Sequence, residues 1–374
     1  MDARIAQLLE QGQSVWQDDI SRDMLRSGEI QKIIDTGIRG LTSNPSIFEK
    51  AIAAGSAYDA DVARFAAEGL DAAAIFERVA VQDIRDTCDL FLPVHEASHG
   101  GDGFVSIEVS PGAARDAARP RHEARLLWEA VDRPNVMVKI PGTAEGTPVI
   151  AEMIAEGINI NVTLLFSLEA YERVALAYVE GLERRHAAGK PVAGIASVAS
   201  FFVSRVDSLV DKLIDAKIAE GADEALAKLK GKAAVANAKL AYQRFEHIFG
   251  SQRFMKLAAA GAAVQRPLWA STSVKSPAYR DVMYVEELIG PHTVNTMPRP
   301  TIAAFVDHGV VERTVDRDLE QARAVMAALS AAGIDMGAVT DRLEDEGIAA
   351  FVTSYDALLA GVESKRAAMA TVAD

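Results

Sequence analysis

A (β/α)8 barrel with long helical connections and a helical C-terminal extension is the fold class this sequence predicts. Short apolar runs alternate with longer helical stretches eight times along the chain, the signature of parallel βαβ units that close on themselves. No Gly-x-Gly-x-x-Gly element follows the first run, which argues against an open doubly wound sheet. At 374 residues and 49% apolar, the chain fits either one large α/β barrel or two ordinary domains, and composition alone does not choose between them.

The first strand is expected over Ser14–Asp18, where Val15-Trp16 runs into the acidic pair Asp18-Asp19. Gly37–Thr42 follows, and then a long connection from Pro45 to Gly103 that contains a helical segment over Ala60–Ala80. Phe104–Val109 is the third strand, with Ser106 and Glu108 sharing a face because strand side chains alternate with period two. After the helical segment Arg115–Ala130 comes Val136–Ile140, an unbroken apolar run stopped by Pro141-Gly142-Thr143 that reads as a strand buried on both faces. Ile158–Leu165 puts Asn159, Asn161 and Thr163 on one face and apolar residues on the other. Glu169–Arg185 is helical, and Val192–Ala199 is the sixth strand. Arg205–Gly261 is too long for one crossover and predicts two or three helices, before strands at Pro267–Ser271 and Thr293–Met297. From Ile302 the chain reads as wholly helical. Residues 1–300 are thus expected to form the catalytic barrel, and 301–374 a helical extension packed on it.

The net charge of −14 excludes a general nucleic-acid or acidic-membrane surface, so any phosphate must be held by a local pocket. No apolar stretch approaches the ~20 residues that span a bilayer, and Met1-Asp2-Ala3-Arg4-Ile5 lacks a signal-peptide pattern, which makes a cytoplasmic protein the expectation. The single cysteine, Cys88, excludes an internal disulfide and reads as a packing residue. The sequon Asn161-Val162-Thr163 is expected to carry no glycan. His95-Glu96-Ala97-Ser98-His99 matches the H-E-x-x-H pattern of zinc peptidases letter for letter. That chemistry needs both histidines on one face of a real helix; with Pro93 before and Gly100-Gly101 after, the segment reads as a loop, and no metal is expected.

In a barrel of this kind, polar residues at the carboxyl ends of strands are the candidates for chemistry. Lys139 ends a run that should be buried, and lysine is almost never buried without a partner or a task. Burial penalises the charged form, so this amine is expected to shed its proton easily and to attack a carbonyl, giving a Schiff base. Snorkelling to water is the alternative. Glu108 would carry protons near it, and Asn161 and Thr163 need hydrogen-bond partners in the interior, with water, substrate or Lys139 the candidates. Only one of Asp18 and Asp19 can face inward; parity leaves open which. Ser200 and Arg205 after the sixth strand, and Ser271 and Lys275 after the seventh, are the parts of a phosphate site, with Phe202 beside them as a further substrate-binding candidate.

With Leu41-Thr42-Ser43-Asn44-Pro45-Ser46-Ile47-Phe48, Val138-Lys139-Ile140-Pro141, Asn161-Val162-Thr163-Leu164-Leu165-Phe166-Ser167 and Trp269-Ala270-Ser271-Thr272, the chain resembles the transaldolases from Val15 to about Pro300. The resemblance implies a barrel enzyme, without metal or organic cofactor, that moves a dihydroxyacetone unit from sedoheptulose 7-phosphate to glyceraldehyde 3-phosphate in the pentose phosphate pathway. It makes Lys139 the Schiff-base lysine, Asp18 the acid/base, and Glu108 and Thr163 the pair that holds a catalytic water, with Asp19 as fallback for Asp18. Asn44 and Asn161, with Ser200 beside them, become ligands of the sugar hydroxyls, and Arg205 and Ser271 ligands of the phosphate. Many relatives carry an arginine after the seventh-strand serine where this chain offers Lys275 at another spacing. The nearest rival is a fructose 6-phosphate aldolase-like lyase, whose members resemble this chain at the lysine but tend to have glutamine and tyrosine where Glu108 and Phe202 stand. Sugar phosphates are the expected partners, and both a monomer and a homodimer fit the sequence.

Overall fold

The computed structural model describes residues 1–370 apart from Ala54 and Ala117; the last four residues of the expected extension lie outside it. Eight strands pair in parallel with their sequence neighbours: β1 (Gln13–Gln17), β2 (Gly40–Leu41), β3 (Val105–Glu108), β4 (Val136–Pro141), β5 (Ile160–Leu165), β6 (Ser197–Phe202), β7 (Arg266–Ala270) and β8 (Thr293–Met297). β8 pairs back onto β1, so the sheet closes into a (β/α)8 TIM barrel. The paired, buried strands explain the apolar runs, because both faces of each strand are covered. The sequon and Cys88 are buried.

Several boundaries differ from the sequence expectation, each for a local reason. β2 keeps only two residues of the expected six, since Gly37 takes φ 109° to end the helix Glu29–Thr36. At Gly40 a side chain would strike the Trp16 ring at 2.6 Å, so only glycine lets β2 lie against β1 there. β6 starts later and runs further than expected: Gly194 at φ 81° turns the chain before it, and Ser200 to Phe202 belong to the strand. Ala60–Ala80 is not one helix but two, Asp59–Ala67 and Ala72–Ala97, the second capped by Asp71 accepting from the Ala74 amide at 2.9 Å. The Arg205–Gly261 stretch holds the helices Ser204–Ala219, Ala233–Phe249 and Gln252–Ala259.

The loop expected at His95-Glu96-Ala97-Ser98-His99 is a correction. The helix Ala72–Ala97 runs through Pro93 and puts His95 in its last turn, because a proline costs a helix one backbone bond and the packed apolar face here outweighs it. His95 Nδ1 is taken up by the Asp102 carbonyl at 2.8 Å. Among the described residues no group of three or more His, Cys, Asp or Glu side chains could hold a metal ion.

After β8 the chain is helical, as expected, in three separate helices: Arg299–His308, Leu319–Ala331 and Met336–Ala370, with Gly333 at φ 72° in the last break. The first of these packs on the helix Ala3–Glu10, where Arg4 Nε donates to the Gly309 carbonyl at 2.9 Å. The last crosses the carboxyl ends of the strands, packs against the helix Pro45–Ala53, and is pinned by Ser46 Oγ donating to Ser354 Oγ at 2.6 Å and by Lys365 beside Asp59 at 2.5 Å. Among the described residues no single helix is long and apolar enough to cross a membrane. The amino ends of the strands are closed by a polar cluster in which Trp16 Nε1 donates to Asp102 Oδ1 at 2.8 Å and Arg266 Nη1 to Ser14 Oγ at 2.9 Å.

Candidate active site

The parallel register sets three polar residues side by side: Glu108 on β3 pairs with Lys139 on β4, which pairs with Asn161 on β5. Lys139 is 6% exposed, so it does not snorkel. Its Nζ donates to the Ser43 carbonyl at 2.9 Å and to Glu108 Oε2 at 3.1 Å. The sequence suggested an amine with a carboxylate near it; here that carboxylate and a backbone carbonyl hold it. Glu108 Oε1 is buried and has no hydrogen-bond partner among the described residues. Burial pushes the Glu108 carboxyl above the ordinary carboxylate range, and the neighbouring ammonium pulls it part of the way back.

Asp18 follows β1, and its parity is decided by a distant residue. Asp19 turns out to meet Arg299 at 2.9 Å, while Asp18 accepts from Thr42 Oγ1 at 2.6 Å and faces the barrel mouth. Because Thr42 spends its single proton on Asp18, the 2.7 Å contact between Thr42 and Thr296 must be donated by Thr296. Burial raises the Asp18 carboxyl too, with Lys139 and the Thr42 hydrogen bond opposing the shift.

One layer down, Ser200 Oγ donates to Asn161 Oδ1 at 2.7 Å and Asn161 Nδ2 donates to Ser106 Oγ at 3.0 Å. Asn161 is thus satisfied by two serines, not by Lys139, as the interior of a sheet requires. Asn159 does not share its task. It lies before β5 and stitches the strand bases, donating to the Pro134 and Val136 carbonyls and accepting from the Ala196 amide at 2.9 Å.

A cavity of about 390 Å³ opens at the carboxyl ends of the strands. Asp18, Asn44, Lys139, Thr163, Ser200, Phe202, Arg205, Ser271 and Lys275 line it; Glu108 and Asn161 do not. Asn44 caps the helix Pro45–Ala53, its Oδ1 accepting from the Ile47 amide at 3.1 Å with Pro45 at the first helical position. Arg205 sits in the first turn of Ser204–Ala219, 5.3 Å from the centre of the Phe202 ring, and among the described residues no carboxylate is within ion-pair distance of it. Ser271 is held at φ 56°, strain of about 1–3 kcal/mol that persists where surroundings over-determine it. Here Ser204 fixes it, its amide donating to the Ser271 carbonyl at 3.0 Å and its hydroxyl 3.0 Å from that of Ser271. Lys275 is exposed and donates to Ser273 Oγ at 2.6 Å.

Sequence reasoning missed Thr42, Ser46, Lys50, Thr296 and Phe351, which also line the cavity. Lys50 had a signal, since it lies one turn and a half into the helix that Asn44 caps. Phe351 had none, for it arrives from the C-terminal helix.

A buried amine beside a buried and a half-buried carboxyl, at the mouth of a parallel barrel with an unpaired arginine, defines an α/β-barrel enzyme equipped for carbonyl chemistry on an anionic compound. Comparison with known proteins agrees. The family described as Transaldolase/Fructose-6-phosphate aldolase matches residues 15–362. The chain is 50% identical to a transaldolase of Trichodesmium erythraeum over 361 residues, 95% of each chain. It is 50% identical to a transaldolase of Mycolicibacterium smegmatis over 357 residues, again 95% of each, and 48% identical to transaldolase 2 of a Nostoc species over 369 residues, 96% of this chain and 97% of that one. The chain belongs to the transaldolase/fructose-6-phosphate aldolase family.

Proposed function

We infer that this enzyme is a transaldolase, a transferase of the pentose phosphate pathway that moves a dihydroxyacetone unit from sedoheptulose 7-phosphate to glyceraldehyde 3-phosphate through a Schiff base on Lys139. The observation that carries the reading is the Lys139 Nζ, buried at the carboxyl end of β4 within hydrogen-bond distance of Glu108 and in the electrostatic field of Asp18. Lys139 passes a proton to Glu108 and attacks the ketose carbonyl. Glu108, with Thr163 and a water, returns protons as the carbinolamine becomes an imine. Asp18 takes the proton of the C4 hydroxyl, the C3–C4 bond breaks, and the enamine stays attached until an aldose phosphate accepts it. Asn44, Asn161 and Ser200 orient the sugar hydroxyls, Asn161 through Ser200 at the cavity floor. Arg205, Ser271 and Lys275 receive the phosphate. Residues 1–300 carry the chemistry and the following helices roof it, in a cytoplasmic enzyme.

The test is formation of erythrose 4-phosphate with and without added glyceraldehyde 3-phosphate. Product beyond one equivalent per enzyme only with the acceptor supports transfer, and free dihydroxyacetone without it would favour the lyase. Borohydride with fructose 6-phosphate should leave a stable adduct on Lys139.

Two further outcomes are expected. Arg205→Ala should raise KM for the phosphorylated sugar roughly 10–100-fold with little change in kcat, the worth of a charged hydrogen bond; steady-state kinetics on phosphorylated and unphosphorylated ketoses checks this. Thr42→Val removes a contact that holds the Asp18 carboxyl down, so the acid limb of kcat/KM should move to higher pH. A limb that stays in place in the pH–rate profile removes Asp18 as the base.

A further inference from the structure

Glu108 does not line the mouth; it lines a second cavity of about 110 Å³, between β3 and the helices Pro45–Ala53, Ala72–Ala97 and Ala118–Val131. The two cavities share only Asn44 among their lining residues. The inner end of the smaller one is bounded by Ser43, whose carbonyl holds the Lys139 amine, and by Glu108, whose side chain is 6% exposed and whose Oε1 is unpartnered among the described residues. The outer end reaches solvent at Glu77 and at Leu126, which is 43% exposed. Between them stands Glu123, fixed by the Ser110 amide and hydroxyl, each donating to it at 2.7 Å. The volume holds several waters, and these carboxylates supply the polar partners that buried water requires.

We propose that this cavity is a water port, a route separate from the sugar-filled mouth by which water formed and consumed at the Lys139 imine passes between Glu108 and bulk solvent. The proposal rests on the Schiff-base reading. In that step, ketone plus ammonium gives iminium plus water: the C–N bond forms, the C2–O bond breaks, two ammonium protons leave with the oxygen and one stays on nitrogen. A sugar seated in the mouth blocks the direct way out for that water, while the port meets it at the carboxyl that delivers the proton. Solvent can then exchange with the released oxygen during the life of the enamine.

The experiment follows that oxygen. Fructose 6-phosphate and erythrose 4-phosphate are turned over in H2¹⁸O, quenched with borohydride, and the product ketose is analysed by mass spectrometry, with the enzyme-free exchange subtracted. Wild-type protein should put one solvent oxygen at C2 per turnover. Ala80→Leu, which fills the cavity from its buried wall, and Leu126→Trp, which caps its exposed end without touching the core, should each lower the label per turnover several-fold by trapping the substrate's own oxygen. Should Ala80→Leu fail to fold, Leu126→Trp decides alone. Wild-type product that keeps its original oxygen, or capped variants that label as fully as wild type, overturns the port. The borohydride adduct on the same samples separates the two readings: an adduct with unchanged label rejects the port only, and no adduct rejects the imine itself.

Discussion

Lys139→Met should leave a folded protein whose turnover has fallen by roughly 10⁴-fold or more, the scale seen when a covalent nucleophile is removed. Methionine matches the lysine stem in volume, so the fully buried strand around it keeps its packing. Loss of the ammonium would strand the Glu108 charge, and breaking a buried pair can cost about 3–5 kcal/mol. Burial already pushes the Glu108 carboxyl up, however, so it takes a proton instead of standing charged and alone. Erythrose 4-phosphate formation reads the activity, and a thermal melt by circular dichroism reads the fold. Turnover within a few-fold of wild type would remove Lys139 from the mechanism.

Asp18→Asn separates the two halves of the reaction. The imine should still form, so borohydride still traps fructose 6-phosphate on Lys139, while kcat falls roughly 10²–10⁴-fold because nothing accepts the C4 hydroxyl proton. The same variant should be more heat-stable than its parent at pH 8. A carboxyl whose folded pKa is raised binds its proton more tightly in the fold than in the unfolded chain, so its contribution to stability is complete below the unfolded value and is lost as pH rises through the folded one. Asparagine has no such loss. The difference in melting temperature between the two proteins should open with rising pH and close near pH 3. A gap that runs the other way would mean that Asp18 is not strained by its burial.

The barrel was legible because its strands are apolar on both sides, and Lys139 because a charge interrupts one of them. Glu108 and Asn161 followed from period-two alternation, since the register that aligns them with Lys139 is a property of parallel strands with continuous hydrogen bonding. Alternation alone could not tell Asp18 from Asp19, because the deciding partner, Arg299, comes from the far end of the chain. The helix through His95 was misread because proline is a local signal and the packing that overrides it is not. Asn159 shares a face with Asn161 and Thr163 yet lies away from the site, because alternation gives the face of a side chain but not its height in the barrel. Phe351 and Glu123 carry no motif; they become neighbours of the site only through helices packed from elsewhere.

The helix Met336–Ala370 brings Phe351 to the mouth and sets Gly347 where a side chain would meet Leu164 at 2.9 Å. During translation every strand leaves the ribosome before this segment does. Until that segment is made, the mouth lacks the wall that Phe351 supplies, so the cavity takes its full shape only when the closing helix docks.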